Sequence, residues 1–280
     1  MEIAGLHHIT AVTTDLEKNR FFYAEVLGLR TVKEADESEK FIYYGDALGT
    51  PGTLVAFVEE KEALPTIFGR NQISVIGFTV PSKASLVYFG KRFNEYDISY
   101  QSITEYGREG ISLCDPDGLR VHLIVAENEL LRPVHQLWEE SPIPLEYQIL
   151  GLGPVRFSIF KKMRTDDMLV KLFGYIRKGA YEEDEKYLTV FQSGPASEIH
   201  VESRPDLSVQ PIGAGAVSHI AFRTSNEASL EQWQAYLKKK KIKHSEIKDH
   251  GAFQSIYFKE THGLLIEIAT ATPGFGLEAN

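Results

Sequence analysis

The feature that most constrains this chain is a repeat. The stretch Leu6-His7-His8-Ile9-Thr10-Ala11-Val12 comes back near the other end as Val217-Ser218-His219-Ile220-Ala221-Phe222. Each opens a segment that then reads helix, strand, strand, strand. The second segment closes on Gly263-Leu264-Leu265-Ile266-Glu267-Ile268, with Glu267 48 residues after His219, and the same step from His8 lands on Ala56 in a strand of the same look. Two equivalent modules therefore offer four equivalent slots, filled by His8, Ala56, His219 and Glu267. Two imidazoles and one carboxylate on one face, with coordination positions left open, suit a non-haem Fe(II) site that activates oxygen. Mn(II) and Zn(II) are the other ions such a donor set accepts.

The pattern occurs four times, and a repeat of this length dictates the architecture. Module one covers 5–60, with Asp15 capping a helix that carries Leu16, Phe21, Phe22, Val26 and Leu27 on one side and stops at Gly28. Module two covers 71–126, with a helix over 83–94 and a β-turn at Asp115-Pro116-Asp117-Gly118. Residues 127–147 show poor periodicity and include Ser141-Pro142-Ile143-Pro144, which reads as an extended linker. Module three starts near 155 with a helix over 165–173, and module four covers 214–270 with a helix over 227–239. A βαβββ unit of this size cannot close alone. Two side by side make an eight-stranded cup. The expected fold is α+β: four βαβββ modules in two domains, paired into cup-shaped sheets with helices outside. The expected divisions are an N-terminal domain over 1–127, a linker over 128–146, a C-terminal domain over 147–270 and a tail over 271–280. The slot arithmetic requires modules one and four to share a cup.

Composition excludes several classes. Net charge is −9 at neutral pH, the wrong sign for a nucleic-acid partner. The basic run 238–241 ends a helix and reads as a solvated face that complements the helix dipole. The chain has one cysteine, Cys114, so no internal disulfide is expected and a reducing compartment fits. Its place in the apolar run Ile111-Ser112-Leu113-Cys114 predicts a buried structural thiol. No apolar run approaches the ~20 residues of a membrane span. The expected setting is cytoplasmic, with no membrane partner and a homo-oligomer left open.

Here the residues resemble a known family. The stretches Gly5-Leu6-His7-His8-Ile9-Thr10, Gly45 through Thr53, Gly213 through Ala221, Ile256-Tyr257-Phe258 and Glu267-Ile268-Ala269-Thr270 are similar to the vicinal-oxygen-chelate superfamily, and within it to hydroquinone-type ring-cleaving dioxygenases. The resemblance implies Fe(II) held by His8, His219 and Glu267. It also implies a small aromatic substrate together with dioxygen, a hydroquinone- or catechol-type diol, and a role in aromatic compound breakdown. The chain departs from the family at Ser218, where a second histidine is usual, at His250, where an arginine is usual, and after the Pro-Gly-Phe turn, where it stops at Asn280.

Around the three ligands, His250 and Tyr257 are the candidate catalytic residues, for proton traffic and substrate orientation. His7, Thr10 and Ser218 are expected to support the ligands from behind. His122 occupies the Glu267 slot of module two, but the strands beside it at 73–80 and 155–159 carry no histidine or carboxylate. It reads as a relic of duplication or a surface residue. His135, His200, His244 and His262 fall in expected loops, linkers or exposed ends and receive no role. Two other functions remain open. A glyoxalase-like isomerase or lyase would want a ligand at Ala56, and a non-catalytic drug-binding protein would lack the triad.

Overall fold

The computed structural model describes residues 2–34, 40–127, 136–194 and 197–277. Module one runs β1 (Leu6–Thr13), α1 (Leu16–Arg20), β2 (Arg30–Glu34), β3 (Phe41–Gly45) and β4 (Leu54–Glu59). Module two runs β5 (Gln72–Val80), α2 (Lys83–Glu95), β6 (Tyr100–Glu105), β7 (Arg108–Cys114) and β8 (Arg120–Val125). Module three runs β9 (Gly151–Ile159), α3 (Lys162–Asp167), β10 (Ile176–Glu183), β11 (Lys186–Gln192) and β12 (Glu198–Ser203). Module four runs β13 (Val217–Thr224), α4 (Glu227–Lys239), β14 (Lys248–Asp249), β15 (Phe253–Lys259) and β16 (Leu265–Pro273). The last strand extends three residues into the segment expected as a tail.

α1, α2 and α4 start where a polar side chain can take up free backbone donors. Asp15 accepts from the amides of Glu17 and Lys18 at 3.0 and 3.1 Å, and Asn226 accepts from Ser229 at 3.1 Å. Leu230, Trp233 and Leu237 return on one face of α4 and are buried, as the helical period requires. α1 departs from the expected regular helix, because it winds on as a π-helical turn over Phe21–Val26. The wider turn changes the phase of the buried face: Tyr23 is fully buried, whereas Phe21, expected in the core, is 49% exposed. α3 behaves in the same way, with a π-helical turn over Met168–Leu172.

The strands form two eight-stranded sheets, in the orders β14-β15-β16-β13-β1-β4-β3-β2 and β10-β11-β12-β9-β5-β8-β7-β6. Module one thus shares a sheet with module four, and module two with module three. Inside each module the first and last strands are parallel neighbours, joined through the helix crossover. Between modules the first strands meet antiparallel, β1 on β13 and β5 on β9. The second seam depends on Gly77, where an added Cβ would lie 2.4 Å from the Pro154 carbonyl oxygen. The two sheets are tied by the turn before β8. The Asp117 carboxylate accepts from the Thr13 and Thr14 hydroxyls at 2.5 and 2.6 Å.

Two expectations about single segments change. Ile143, in the segment read as an extended linker, is 1% exposed, and the Ser141 hydroxyl donates to the Gly28 carbonyl at 2.9 Å. An aliphatic side chain between two prolines gains more from burial than from water, so the segment docks on the core. Cys114 is exposed rather than buried. Leu113 takes the helix-facing side of β7 and is buried, so strand alternation turns its neighbour to the open face.

Candidate metal centre

At the middle of the first sheet, β1 and β13 pair with Thr10 opposite His219 and His8 opposite Ala221. β16 lies parallel to β13 with Glu267 also opposite Ala221. This register places three side chains on one concave face, and their ligand atoms lie within 4.8 Å of one another. The fourth slot, Ala56, pairs with Thr10 and Tyr43 and offers no donor atom. Rigid strands supply all three groups, which fixes their geometry more tightly than loops would.

The hydrogen bonds around the triad aim its lone pairs inward. His7 Nε2 lies 3.1 Å from the Thr270 carbonyl oxygen, which can only accept, so Nε2 carries the hydrogen. Burial first, and then the neighbouring His8, lowers the pKa of His7 to about 3, so its Nδ1 keeps a lone pair at neutral pH. His7 Nδ1 therefore accepts from His8 Nδ1 at 2.9 Å, which leaves His8 Nε2 as the atom free to ligate. On the other strand the Ser218 hydroxyl donates to the Thr10 carbonyl at 3.1 Å. Ser218 Oγ thus accepts from His219 Nδ1 at 3.1 Å, and Nε2 is again the free atom. His8 Nε2 and His219 Nε2 sit 3.1 and 3.0 Å from Glu267 Oε2. Yet neither approach has hydrogen-bond geometry, and both Glu267 oxygens are buried without a donor. Burial pushes the Glu267 carboxyl up, and positive charge beside it, on protonated His8 and His219 or on an ion held between them, brings it well below its usual range. An ionised, fully buried carboxylate without donors is costly to maintain. A divalent cation between these atoms removes that cost, so the donor set fits a metal.

Thr10 acts in this arrangement through its carbonyl, since its buried hydroxyl has no partner. Metal-bound imidazoles depend on the acceptor for their second nitrogen. Ser218→Ala is therefore expected to keep the fold but weaken Mn(II) binding roughly 10- to 100-fold. Anaerobic titration, with circular dichroism as the check on folding, measures this; unchanged affinity would show that Ser218 does not orient His219.

His250 and Tyr257 stand at the edge of the same face. Tyr257 pairs with Glu267 across the sheet, and its ring lies 5.4 Å from that of His219. Burial, and then the Glu267 charge, raises its pKa, which keeps it a hydrogen-bond donor. His250 Nε2 is 3.0 Å from Ser255 Oγ, and burial lowers its pKa. Sequence reasoning missed the aromatic wall. Phe253 packs on His7, His8 and His250 at 4.8, 5.3 and 4.8 Å, and Tyr43 lies 5.8 Å from His8. Phe275, from the segment expected as a tail, packs 5.7 Å from Tyr43. The alternation of Phe41 and Tyr43 along β3 was a usable signal for one of these.

The second sheet corrects two assignments. His122, read as a relic of duplication or a surface residue, is not on the surface: it is 4% exposed, and its Nδ1 lies 2.8 Å from Glu105 Oε2. His200, left without a role, is fully buried in β12 between Glu105 and Glu198. His135 lies outside the described residues. His244 and His262 are half-buried outside the named strands.

The chain is similar to several known proteins. A model of the Glyoxalase/Bleomycin resistance protein/Dioxygenase superfamily matches residues 5–123. The chain is 32% identical to "Putative ring-cleaving dioxygenase MhqA" of Bacillus subtilis (strain 168), across 100% of this chain and 91% of that protein. It is 25% identical to "Chlorohydroquinone/hydroquinone 1,2-dioxygenase" of Sphingobium indicum, across 98% of this chain and 87% of that one. Among solved structures, a "putative dioxygenase from Bacillus subtilis subsp. subtilis str. 168" superposes with a TM-score of 0.87 at 30% identity, covering 98% of this chain and 87% of that chain.

Proposed function

We propose that this chain, which belongs to the Glyoxalase/Bleomycin resistance protein/Dioxygenase superfamily, is an Fe(II)-dependent dioxygenase that opens the ring of a hydroquinone- or catechol-type aromatic diol. The observation that carries the reading is the orphaned carboxylate of Glu267 facing two imidazole nitrogens whose other nitrogens are already engaged. The names of the relatives supply the reaction class. Among the described residues no helix is long and apolar enough to cross a membrane. Ala56 speaks against the glyoxalase-like alternative, since that chemistry wants a ligand in the fourth slot.

His8 Nε2, His219 Nε2 and one Glu267 oxygen would hold the ion and leave up to three positions open. Ferrous iron bound there supplies a Lewis acid toward a phenolic hydroxyl and a path for electrons from the ring to dioxygen. The chain's own residues do the rest. Phe253, Tyr43 and Phe275 offer ring faces that confine a planar substrate and keep water from the triad. Tyr257, held protonated, donates a hydrogen bond toward substrate oxygen. His250, unprotonated at neutral pH, accepts a proton at Nε2 when it leaves Ser255.

Oxygen consumption by iron-loaded protein against a panel of diphenols tests the reading, with product spectra showing ring opening. No oxygen uptake with any diphenol, in protein that holds one ion per chain, would overturn it. Within the reading, His250→Ala should lower turnover ~100- to 10,000-fold with normal metal content. Wild-type turnover from pH 6 to 8 would remove His250 from the proton path.

A further inference from the structure

We propose that the second sheet holds a binding site of its own for a small uncharged aromatic compound bearing a hydroxyl group, with His122 Nε2 as its hydrogen-bonding partner. The fold puts His122 there by the same register that places Glu267 in the first sheet. Glu267 stands opposite the residue two beyond His219. His122 stands opposite Gly77 and His200 opposite Arg156, so the companion slots in β5 and β9 are Val75 and Pro154. Neither can ligate, and the second sheet uses the equivalent positions differently.

Glu105, from the edge strand β6, completes a charge network on this face. Its Oε2 faces His122, and its Oε1 takes Arg156 at 2.9 Å, His200 at 3.1 Å and Tyr181 at 3.2 Å. Arg156 also binds Glu183, while Glu198 binds both His200 and Arg108. Three carboxylates thus face Arg108, Arg156 and His200, and each charge has a partner. Glu105 can only accept when ionised, so the hydrogen of the His122 contact is on Nδ1. His122 Nε2 is left with no partner among the described residues.

A cavity of about 1290 Å³ opens over this network, and His122, Arg156 and Glu183 reach its wall. The remaining wall is mixed: Phe21, Tyr96, Tyr100 and Ile103 supply ring and aliphatic surface between polar groups such as Gln101 and Ser112. Phe21 and Tyr96 are 49% and 37% exposed, with rings 5.4 Å apart edge to face. Large exposed rings around a concavity with a few convergent polar groups mark a ligand site rather than a plain surface. The polar groups choose the ligand. The network consumes its cations on carboxylates and its carboxylates on cations, and the other charges of the wall, Glu17, Lys18, Asp115, Arg120 and Asp184, are of both signs, so no field of one sign selects an ion beside His122. A hydroxyl can donate to an Nε2 lone pair or accept from Nε2–H, so it matches His122 in either form. The ring walls select an aromatic body.

The experiment is binding of 2-naphthol to full-length protein treated with chelator, which removes any ion at the first sheet, and tryptophan variants in the second sheet tell this site from the ring pocket beside His8. Naphthalene and 2-naphthoate serve as the apolar and anionic controls. 2-Naphthol should saturate one site per chain and bind about 5-fold or more tightly than either control, the scale of one net hydrogen bond. Ser112 lines the cavity and pairs with His122 across β7 and β8. Ser112→Trp should fill the site and abolish saturable binding while Mn(II) still binds at the first sheet. Gln101→Trp, at an exposed cavity position on β6, gives the same reading if Ser112→Trp does not fold. The absence of saturable 2-naphthol binding, or undiminished binding in a folded tryptophan variant, would overturn the site. Equal affinity for all three probes would overturn the assigned ligand class.

Discussion

Glu267→Gln protein, titrated anaerobically with Fe(II) or Mn(II), should bind at least ~100-fold more weakly than wild type, beyond what the loss of an outer partner costs. The amide keeps the shape of the side chain and one acceptor oxygen but removes the only negative charge among His8, His219 and Glu267. His8→Ala and His219→Ala should be comparably weak, since each removes one of three ligands. Thermal unfolding gives a second readout. An ion that binds only the native state at 100 times its dissociation constant adds about 2.7 kcal/mol, which raises the midpoint by several degrees. Wild type should show that rise and its reversal by chelator, and Glu267→Gln should show neither at the same ion concentration. In the metal-loaded crystal the three ligand atoms should stand roughly 2.0–2.3 Å from one ion. A wild-type midpoint indifferent to every divalent ion, or a Glu267→Gln variant that still takes up one ion tightly, would remove the triad as a metal centre.

The second large effect concerns the two halves of the chain. Fragments 1–127 and 147–280 should each be poorly soluble and hold no tight metal, and mixing them should recover part of both properties. The reason is the topology. Each sheet is closed at its centre by a seam between halves, β1 on β13 and β5 on β9. Cutting near residue 127 leaves four bare sheet edges together with the apolar faces packed beside them. Unpaired edges of this length invite aggregation. The N-terminal fragment would keep His8 alone, and the C-terminal fragment would keep His219 and Glu267 without the strand that holds their partner. Tight stoichiometric metal with cooperative unfolding in the isolated C-terminal half would contradict this dependence.

Much of the arrangement was readable because strands impose a simple count. Side chains alternate, and parallel first and last strands in each module keep a constant offset, so a spacing of 48 residues translates directly into position. The convergence of His8, His219 and Glu267 follows from that count. The same count found His122 but could not interpret it. Its partner Glu105 comes from an edge strand with no fixed offset to β8, and His200 arrives from the other half of the chain. Phe21 shows another limit. A π-helical turn and an α-helix carry the same apolar residues, and only packing against Tyr44 and Phe57 decides that Tyr23 is the one buried. Cys114 was misplaced because an apolar run does not say which of its residues faces the helix.

The amino-acid sequence by itself determined the four modules, the pairing of the first with the fourth, and the identity of three residues that meet in one sheet. Those follow from local periodicity and from spacing along single modules. Tertiary structure alone decided which nitrogen of each histidine is free, because that depends on Thr270, Ser218 and the Thr10 carbonyl reaching it through space. It alone placed Phe253, Tyr43 and Phe275 around His8, and it alone set His122 against Glu105 beneath a cavity. Contacts between strands far apart in the chain carry no period, and so they exist only once the sheets have closed.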